Sequence, residues 1–166
     1  ECCDLNANIE SIVSVVGHTL DMNNIRLVLS LADELPAVRG DSRGFQQVFL
    51  NLINNAVQAM KGQGVLTIVT RPIAGKTQSV EVIVSDTGSG IRREYMSKIF
   101  DPFFTTKKVG EGTGLGLSVS YGIITKFGGT IECESITDEE APGMSGATFK
   151  VILPSCEKEA ENSSSA

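Results

Sequence analysis

Glycine occupies every second position over residues 110–116, and an apolar-patterned stretch follows. The run comprises Gly110, Glu111, Gly112, Thr113, Gly114, Leu115, Gly116 and Leu117. Glycine lets the backbone approach a ligand closely and adopt positive φ. A helix beginning here would present unpaired N–H groups and the positive end of its dipole at one point. The run therefore predicts a phosphate-binding site, with a flexible, empty loop as the alternative.

A second polar group lies on one side of a predicted helix. This helix is expected from Asp41 or Ser42 to about Met60, because apolar residues recur there at helical spacing. Its other side carries only carboxamides: Gln47, Asn51, Asn54, Asn55 and Gln58. A carboxamide oxygen suits Mg²⁺, and its NH₂ can donate to phosphate. The face predicts a ligand-binding wall, with a merely hydrated surface as the alternative.

An aspartate ends a predicted apolar strand. Asp86 follows the strand of residues 79–85, and Gly88 and Gly90 come directly after it. Its carboxylate could accept a hydrogen bond from an exocyclic amine, and the glycines would let a flat ring lie against the backbone. An ordinary aspartate-glycine turn is the alternative.

Three phenylalanines, Phe100, Phe103 and Phe104, precede a polar segment at residues 105–112. Their aromatic burial is expected to anchor the root of a loop. The polar segment has the composition of a mobile lid, and its Lys107 could screen phosphate charge. Plain surface charge is the alternative for this lysine and for Lys108.

The composition indicates one globular domain. The chain has 166 residues, of which 41% are hydrophobic and 20% charged. A net charge of −6 argues against an extended nucleic-acid interface. There is no signal peptide and no apolar run of transmembrane length. The abrupt start, ECCDLN, suggests an excised domain.

The four cysteines show no ligand spacing, so they are interpreted as reduced thiols of a cytosolic protein, with disulfide or metal use as a minor alternative. The single histidine, His18, has no partner motif and is interpreted as structural. The sequence contains neither a P-loop nor a strict G-x-G-x-x-G motif.

Periodicity predicts the elements that must position these groups. Helices are expected over residues 5–22 and 41–60 and from the glycine run to about residue 126, with a short helix or turn over 92–99. Strands are expected over residues 25–31, 65–71, 79–85, 130–135 and 147–153, with a short extended piece near Val38. The ordered domain is expected to span residues 1–154, followed by a disordered tail over 155–166.

Four stretches stand in a recognisable order: NLINNA at 51–56, DTGSGI at 86–91, FDPFFTTK at 100–107 and GTGLGL at 112–117. They resemble the N, G1, F and G2 boxes of the catalytic ATP-binding domain of two-component sensor histidine kinases, in the GHKL superfamily. The resemblance covers about residues 4–154 and looks most like the NtrB-like group. It implies an α+β protein: a two-layer α/β sandwich (the Bergerat fold) with a mixed, mostly antiparallel sheet and helices on one face.

The resemblance also implies ATP and Mg²⁺ as cofactors. Asn55 is similar to the Mg²⁺ ligand, and Asn51 to a catalytic, phosphate-side partner one turn earlier. Asp86 resembles the residue that reads the adenine amino group, and Thr148 one that joins the adenine through water. Further ATP-binding positions near the base are Gly88, Gly90 and Ile91. Those near the phosphates are Gly112, Thr113, Gly114, Leu115, Gly116 and Leu117. Lys107, in the lid, is both an ATP-binding and a catalytic candidate.

The activity implied is transfer of the γ-phosphoryl group to a histidine on a separate dimerisation domain, with a response regulator downstream. The segment is expected to be cytoplasmic, without nucleic-acid or membrane contact. ATP hydrolases of the superfamily carry Glu where Asn51 stands, and an amide cannot take a proton, so poor ATP hydrolysis is expected. Many histidine kinases have Lys where Gln58 stands. A GHKL protein-serine kinase or ATPase, or a nucleotide-responsive binding module, are the alternatives.

Overall fold

The helices and strands follow the hydrophobic patterning of the sequence. The structure, a computed structural model, describes residues 1–75, 78–105 and 115–156. Its helices are α1 (Leu5–Met22), α2 (Ser42–Ala59) and α3 (Gly116–Lys126), with a single 3₁₀ turn at Arg93–Tyr95. Its strands are β1 (Cys2–Cys3), β2 (Ile25–Ser30), β3 (Val38–Arg39), β4 (Gly64–Ile73), β5 (Ser79–Asp86), β6 (Thr130–Ile136) and β7 (Gly146–Pro154).

Capping side chains set where the first two helices begin. Asp4 accepts a hydrogen bond from the backbone N–H of Ala7 at 3.2 Å, at the start of α1. Asp41 accepts one from the N–H of Arg43, also at 3.2 Å, at the start of α2. Each cap satisfies a backbone donor that has no partner within the helix. The caps thereby fix the first turn of α2, the helix that carries Asn51 and Asn55.

Five strands form the main sheet in the order β2-β4-β5-β7-β6. Strand β2 runs parallel to β4, and the remaining neighbours are antiparallel. Helix α2 lies between β2 and β4 in the chain, as a parallel pair requires a crossover connection. This arrangement confirms the predicted mixed, mostly antiparallel sheet.

Alternate residues of the sheet face a layer of helices. On β5 the helix-facing residues are Val80, Val82 and Val84; on β7 they are Ala147, Phe149, Val151 and Leu153, and all seven are buried. They join one hydrophobic core with Phe45, Phe49, Leu52, Ile53 and Ala56 of α2. The two-layer sandwich with helices on one face is therefore confirmed. Asp86 continues the alternation of Val82 and Val84, so its side chain lies on the helix side of the sheet.

The interpretation of all four cysteines as reduced thiols is wrong for two of them. Cys2 and Cys156 form a disulfide, although 154 positions separate them. Strand β1 pairs with β3, and the backbone N–H of Cys156 donates to the carbonyl of Ala37 at 2.9 Å. These contacts bring the first and last described segments together. Cys3 and Cys133 are free thiols.

Within the described ranges, no helix combines the length and the hydrophobicity needed to cross a bilayer.

Candidate functional site

One side of α2 connects two of the predicted site segments. Asn51, Asn55 and Ala59 follow each other at four-residue intervals, one turn apart, over about 12 Å of helix. The Asn51 amide donates to the carbonyl of Gly116 at 3.1 Å and to the Ser120 hydroxyl at 3.3 Å, at the start of α3. The carbonyl of Ala59 accepts from the N–H of Ser89 at 3.2 Å. One end of this stripe thus contacts the start of α3, and the other contacts the turn after Asp86.

Asn55 lies between these two contacts and is half-buried. Its side chain makes no hydrogen bond in the part of the chain that the structure describes. A half-buried amide with a free oxygen and two free N–H groups is suited to a ligand rather than to the fold. The position agrees with the proposed role of Asn55 as a Mg²⁺ ligand, which stays a prediction.

The amide face of α2 is wider than the site. Gln47, Asn54 and Gln58 are exposed, whereas Asn51 and Asn55 are half-buried. Asn51 and Asn55 are therefore the less exposed amides of this face, and the hydrated-surface interpretation fits Gln47 and Asn54.

Asp86 is held at the end of β5 by two backbone donors. Its Oδ1 accepts from the N–H of Gly88 at 2.8 Å and from the N–H of Ala147 at 3.3 Å. Among the described residues its Oδ2 has no partner. Burial raises the pKa of this carboxyl above its usual value, although the two N–H donors act to lower it. The site thus contains a fixed, partly desolvated carboxylate with one free oxygen.

The glycines of the turn pack against neighbouring backbone. A methyl group at Gly88 would lie 2.7 Å from the backbone carbon and oxygen of Ala59, the last residue of α2. Gly90 has φ +75° and lies against the carbonyl of Ile136. Neither contact leaves room for a side chain. The two glycines thereby place the turn between the end of α2 and the end of β6.

Thr148 is not where the resemblance implied. It pairs with Ser85 across β5 and β7, and the two hydroxyls are hydrogen-bonded 2.5 Å apart. Because neighbouring residues of a strand face opposite sides, Ser85 and Thr148 lie on the side of the sheet opposite Asp86. The residue of β7 that contacts Asp86 is Ala147. The adenine-pocket role of Thr148 is therefore wrong for this geometry.

On the phosphate side, the structure describes part of the glycine run. Gly116 begins α3, and a methyl group on it would lie 3.7 Å from the Asn51 side chain, an ordinary contact distance. Leu115 is 36% exposed, whereas the side chain of Leu117 packs against the core. Gly112, Thr113, Gly114 and Lys107 lie outside the described residues, as do Lys108 and most of the predicted lid.

Two of the three phenylalanines before the predicted lid pack against other aromatic rings. Phe100 packs on Tyr121 with ring centroids 5.5 Å apart and on Phe149 at 6.5 Å. Phe104 packs on Tyr95 at 5.5 Å. Phe103, however, is 73% exposed, so its predicted burial is wrong.

Sequence reasoning missed three residues that line or support the site. Ser120 is fully buried and shares the Gly116 carbonyl with Asn51. The Ser135 hydroxyl accepts from the N–H of Ile91 at 2.6 Å. Burial, with a smaller contribution from the charge of Asp86, raises the pKa of the Cys133 thiol to about 12. Each is an isolated small residue within a helix or strand, and no motif marks it.

Comparison with known proteins identifies the family. Residues 40–157 match the family described as "Histidine kinase-, DNA gyrase B-, and HSP90-like ATPase". The match covers more than half of the chain, and the chain belongs to this family, whose domain is an ATP-binding one.

Two proteins to which the chain is similar are named as sensor kinases. The chain is 37% identical over 154 residues to the sensor histidine kinase ZraS of Escherichia coli strain K12, covering 93% of this chain and 31% of that protein. It is 41% identical over 143 residues to the sensor kinase CckA of Brucella abortus strain 2308, covering 79% of this chain and 14% of that protein. The chain thus spans less than a third of the length of either relative.

Solved structures show the same architecture. The nucleotide-free catalytic domain of the histidine kinase ThkA superposes with a TM-score of 0.78 at 31% identity, over 93% of this chain and 97% of that one. The complex of ThkA with the response regulator protein TrrA superposes with a TM-score of 0.74 at 29% identity, over 93% of this chain and 41% of that one. The fold is therefore that of a histidine kinase catalytic domain.

Proposed function

We propose that this protein is the ATP-binding catalytic domain of a sensor histidine kinase, which binds Mg²⁺-ATP and donates its γ-phosphoryl group to a histidine of a separate dimerisation domain. The single observation that carries this proposal is the α2 stripe. Asn51 contacts the start of α3, Ala59 contacts the turn after Asp86, and Asn55 lies between them without a partner among the described residues. A ligand placed over Asn55 would have the phosphate-side helix at one end and the aspartate at the other.

Asp86 would bind the base. Its free Oδ2 would accept a hydrogen bond from the exocyclic amine of adenine. Guanine carries a carbonyl oxygen at the corresponding position, which the carboxylate would repel. ATP is therefore expected to bind more tightly than GTP, provided that Asp86 is ionised.

Mg²⁺ would bind together with the nucleotide. No group of three or more His, Cys, Asp or Glu side chains able to hold a metal occurs among the described residues. Mg²⁺ commonly takes one or two protein oxygens and completes its shell with phosphate oxygens and water. The amide oxygen of Asn55 would be the protein ligand, and the phosphates would supply further ligands.

Phosphoryl transfer requires mainly positioning and neutralisation of charge. The backbone N–H groups at the start of α3, with residues 112–117, would bind the phosphates, and Lys107 would add charge from the lid. Asn51 would keep α3 in place rather than activate water, because both contacts of its amide are donated to α3 and an amide is no base. Slow hydrolysis of ATP by the chain alone follows, which disfavours the ATPase alternative.

The acceptor histidine would come from another domain. His18 is exposed on α1 and has no hydrogen-bond partner among the described residues. The named sensor kinases that resemble the chain are longer than it, and ThkA has been solved with a response regulator protein. We propose a dimerisation domain as the phosphoryl acceptor, a response regulator as the downstream partner and the cytoplasm as the site of action, where ATP is available.

Transfer to an added acceptor tests the proposal. The chain is incubated with Mg²⁺ and γ-³²P-ATP, with and without a dimerisation domain carrying the phospho-accepting histidine. Acid-labile, alkali-stable label on that domain, absent when its histidine is replaced by Gln, is the expected result. Label on serine, or rapid release of phosphate by the chain alone, would instead support the protein-serine kinase or ATPase alternative.

A further inference from the structure

Strands β6 and β7 touch the backbone of the turn at residues 86–91 with no side chain between them. A methyl group at Gly90 would overlap the carbonyl of Ile136, the last residue of β6. A methyl group at Gly146 would overlap the carbonyl of Asp86. The turn and the two strands are therefore in backbone contact, and hydrogen bonds at this contact determine how the turn is held.

Ser135 supplies two of these hydrogen bonds. Its hydroxyl accepts from the N–H of Ile91 at 2.6 Å and donates to the carbonyl of Gly146 at 3.1 Å. In the register of β6 and β7, Ser135 pairs with Ala147, whose own N–H donates to Asp86. One hydroxyl thus connects the last residue of the turn to the strand that holds its first residue.

Ser145 holds the middle of the turn from the same side. Its hydroxyl donates to the carbonyl of Gly88 at 2.7 Å, across 57 positions of sequence. Asp86, Gly88 and Ile91 are each hydrogen-bonded to a residue within 135–147. The turn therefore has three points of attachment to residues 135–147, two of which are serine hydroxyls, besides the contact of Ser89 with the end of α2.

We propose that Ser135, assisted by Ser145, is a positioning residue of the nucleotide site: the two hydroxyls hold the turn so that the Asp86 carboxylate meets the base. This inference rests on the proposed function. Loss of the Ser135 hydroxyl leaves the N–H of Ile91 and the carbonyl of Gly146 without their shared partner. The turn would then shift to find other partners, and a small displacement of Asp86 would weaken its hydrogen bond to the base.

Ser85 offers a matched control. It immediately precedes Asp86, it is half-buried, and its hydroxyl is hydrogen-bonded to Thr148, as that of Ser135 is to its partners. Its side chain lies on the opposite side of the sheet. Ser85→Ala therefore removes a comparable hydroxyl next to Asp86, at the end of β5, without removing a hydrogen bond of the turn.

The experiment compares Ser135→Ala, Ser145→Ala and Ser85→Ala with the wild type. Calorimetric titration gives the dissociation constants of Mg²⁺-ATP and Mg²⁺-GTP, and NMR gives the hydrogen-exchange rate of the Ile91 amide. We expect Ser135→Ala to weaken the binding of ATP about fivefold to tenfold, which corresponds to the loss of one partly buried hydrogen bond. The same variant should bind ATP and GTP with more similar affinities than the wild type does. Hydrogen exchange of the Ile91 amide should become faster. Ser145→Ala should weaken the binding of ATP and reduce the preference for ATP over GTP to a similar extent. Ser85→Ala should change neither nucleotide constant.

If both serine variants keep the wild-type ATP affinity and base preference, the positioning role is wrong, whatever happens at Ile91. Equal losses in Ser85→Ala would also overturn it, since the effect would then be one of general stability. Should Ser135→Ala fail to fold, Ser145→Ala decides alone by the same criterion. A folded wild type that binds no nucleotide would refute the proposed function itself, which separates the two failures.

Discussion

The side-chain amide of Asn51 donates to the carbonyl oxygen of Gly116, 65 positions further along the chain. This contact joins the middle of α2 to the first residue of α3. The same amide also reaches the buried hydroxyl of Ser120, one turn into α3. Asn51 thus has a structural task in this chain, which is to hold the first turn of α3 against α2.

Replacing Asn51 should therefore destabilise the fold. Asn51→Ala removes both hydrogen bonds and leaves the Gly116 carbonyl with one donor fewer, so we expect a loss of about 1–2 kcal/mol in the free energy of unfolding, measured by urea denaturation. Asn54→Ala is the control, because Asn54 is exposed on the same helix and should cost less than about 0.5 kcal/mol. Equal stability of the two variants would show that the contact contributes nothing.

Asn55 should matter for the ligand and not for the fold. Because its amide has no hydrogen-bond partner among the described residues, Asn55→Ala should leave the melting temperature nearly unchanged. We expect Asn55→Ala to weaken the binding of ATP at least about tenfold when Mg²⁺ is present, because a metal ligand is lost. In EDTA the substitution should have little effect on the affinity for ATP. Calorimetry with Asn54→Ala as the control measures this. A similar loss with and without Mg²⁺ would contradict the metal role.

Replacing Asp86 by Asn should stabilise the fold but weaken the binding of ATP. Burial raises the pKa of its carboxyl, so the folded protein keeps this proton to higher pH than the unfolded chain does. Stability is therefore lost as pH rises between the unfolded and the folded pKa values, and the loss is complete once the pH exceeds the folded pKa. Asp86→Asn should raise the melting temperature at pH 7, and the difference from the wild type should shrink as pH falls below both pKa values.

Asp86→Asn should also weaken the binding of ATP about tenfold or more, because a hydrogen bond from the base to a charged acceptor is lost. In the wild type, ATP affinity should fall as acidification protonates Asp86, beginning at a higher pH than for an ordinary aspartate. Thermal melts and titrations over a pH series check both parts. A lower melting temperature of Asp86→Asn at pH 7 would contradict the buried-charge explanation, and an unchanged ATP affinity would contradict the base-binding role.

The disulfide can be tested by counting thiols. After purification without reductant, a thiol titration in guanidinium should find two reactive cysteines, Cys3 and Cys133, and four after reduction. Reduction should lower the free energy of unfolding by about 2–5 kcal/mol, because the bond closes a loop of almost the whole chain. The double variant Cys2→Ser/Cys156→Ser should match the reduced protein. Four thiols before reduction would show that the bond does not form.

Much of the fold could be predicted because local patterns determine it. Helical spacing of apolar residues predicts the extents of α1 and α2 to within a residue or two, and the observed caps are Asp4 and Asp41. The strands β5 and β7 were predicted from alternation and their turn residues. The segments around Asn55 and Asp86 were found because each lies in a short motif of unusual composition.

What could not be predicted depends on pairing between distant segments. The Cys2–Cys156 bond joins the two ends of the described chain, and nothing in the cysteine spacing indicates it. Thr148 pairs with Ser85, and this register determines on which side of the sheet Thr148 lies. The sequence of one strand alone does not reveal its register with a neighbouring strand. Ser135 is one hydroxyl in a strand, and its importance to Ile91 becomes visible only when β6 is placed beside the turn.

The most direct test of the central claim, that Asn55 and Asp86 hold opposite ends of one nucleotide, is a calorimetric titration of the folded wild-type chain with ATP and GTP in Mg²⁺ and in EDTA. We expect one ATP per chain, tighter binding of ATP than of GTP, and weaker binding of ATP when Mg²⁺ is removed. A folded chain that binds neither nucleotide, or that binds both equally and without regard to Mg²⁺, would contradict it.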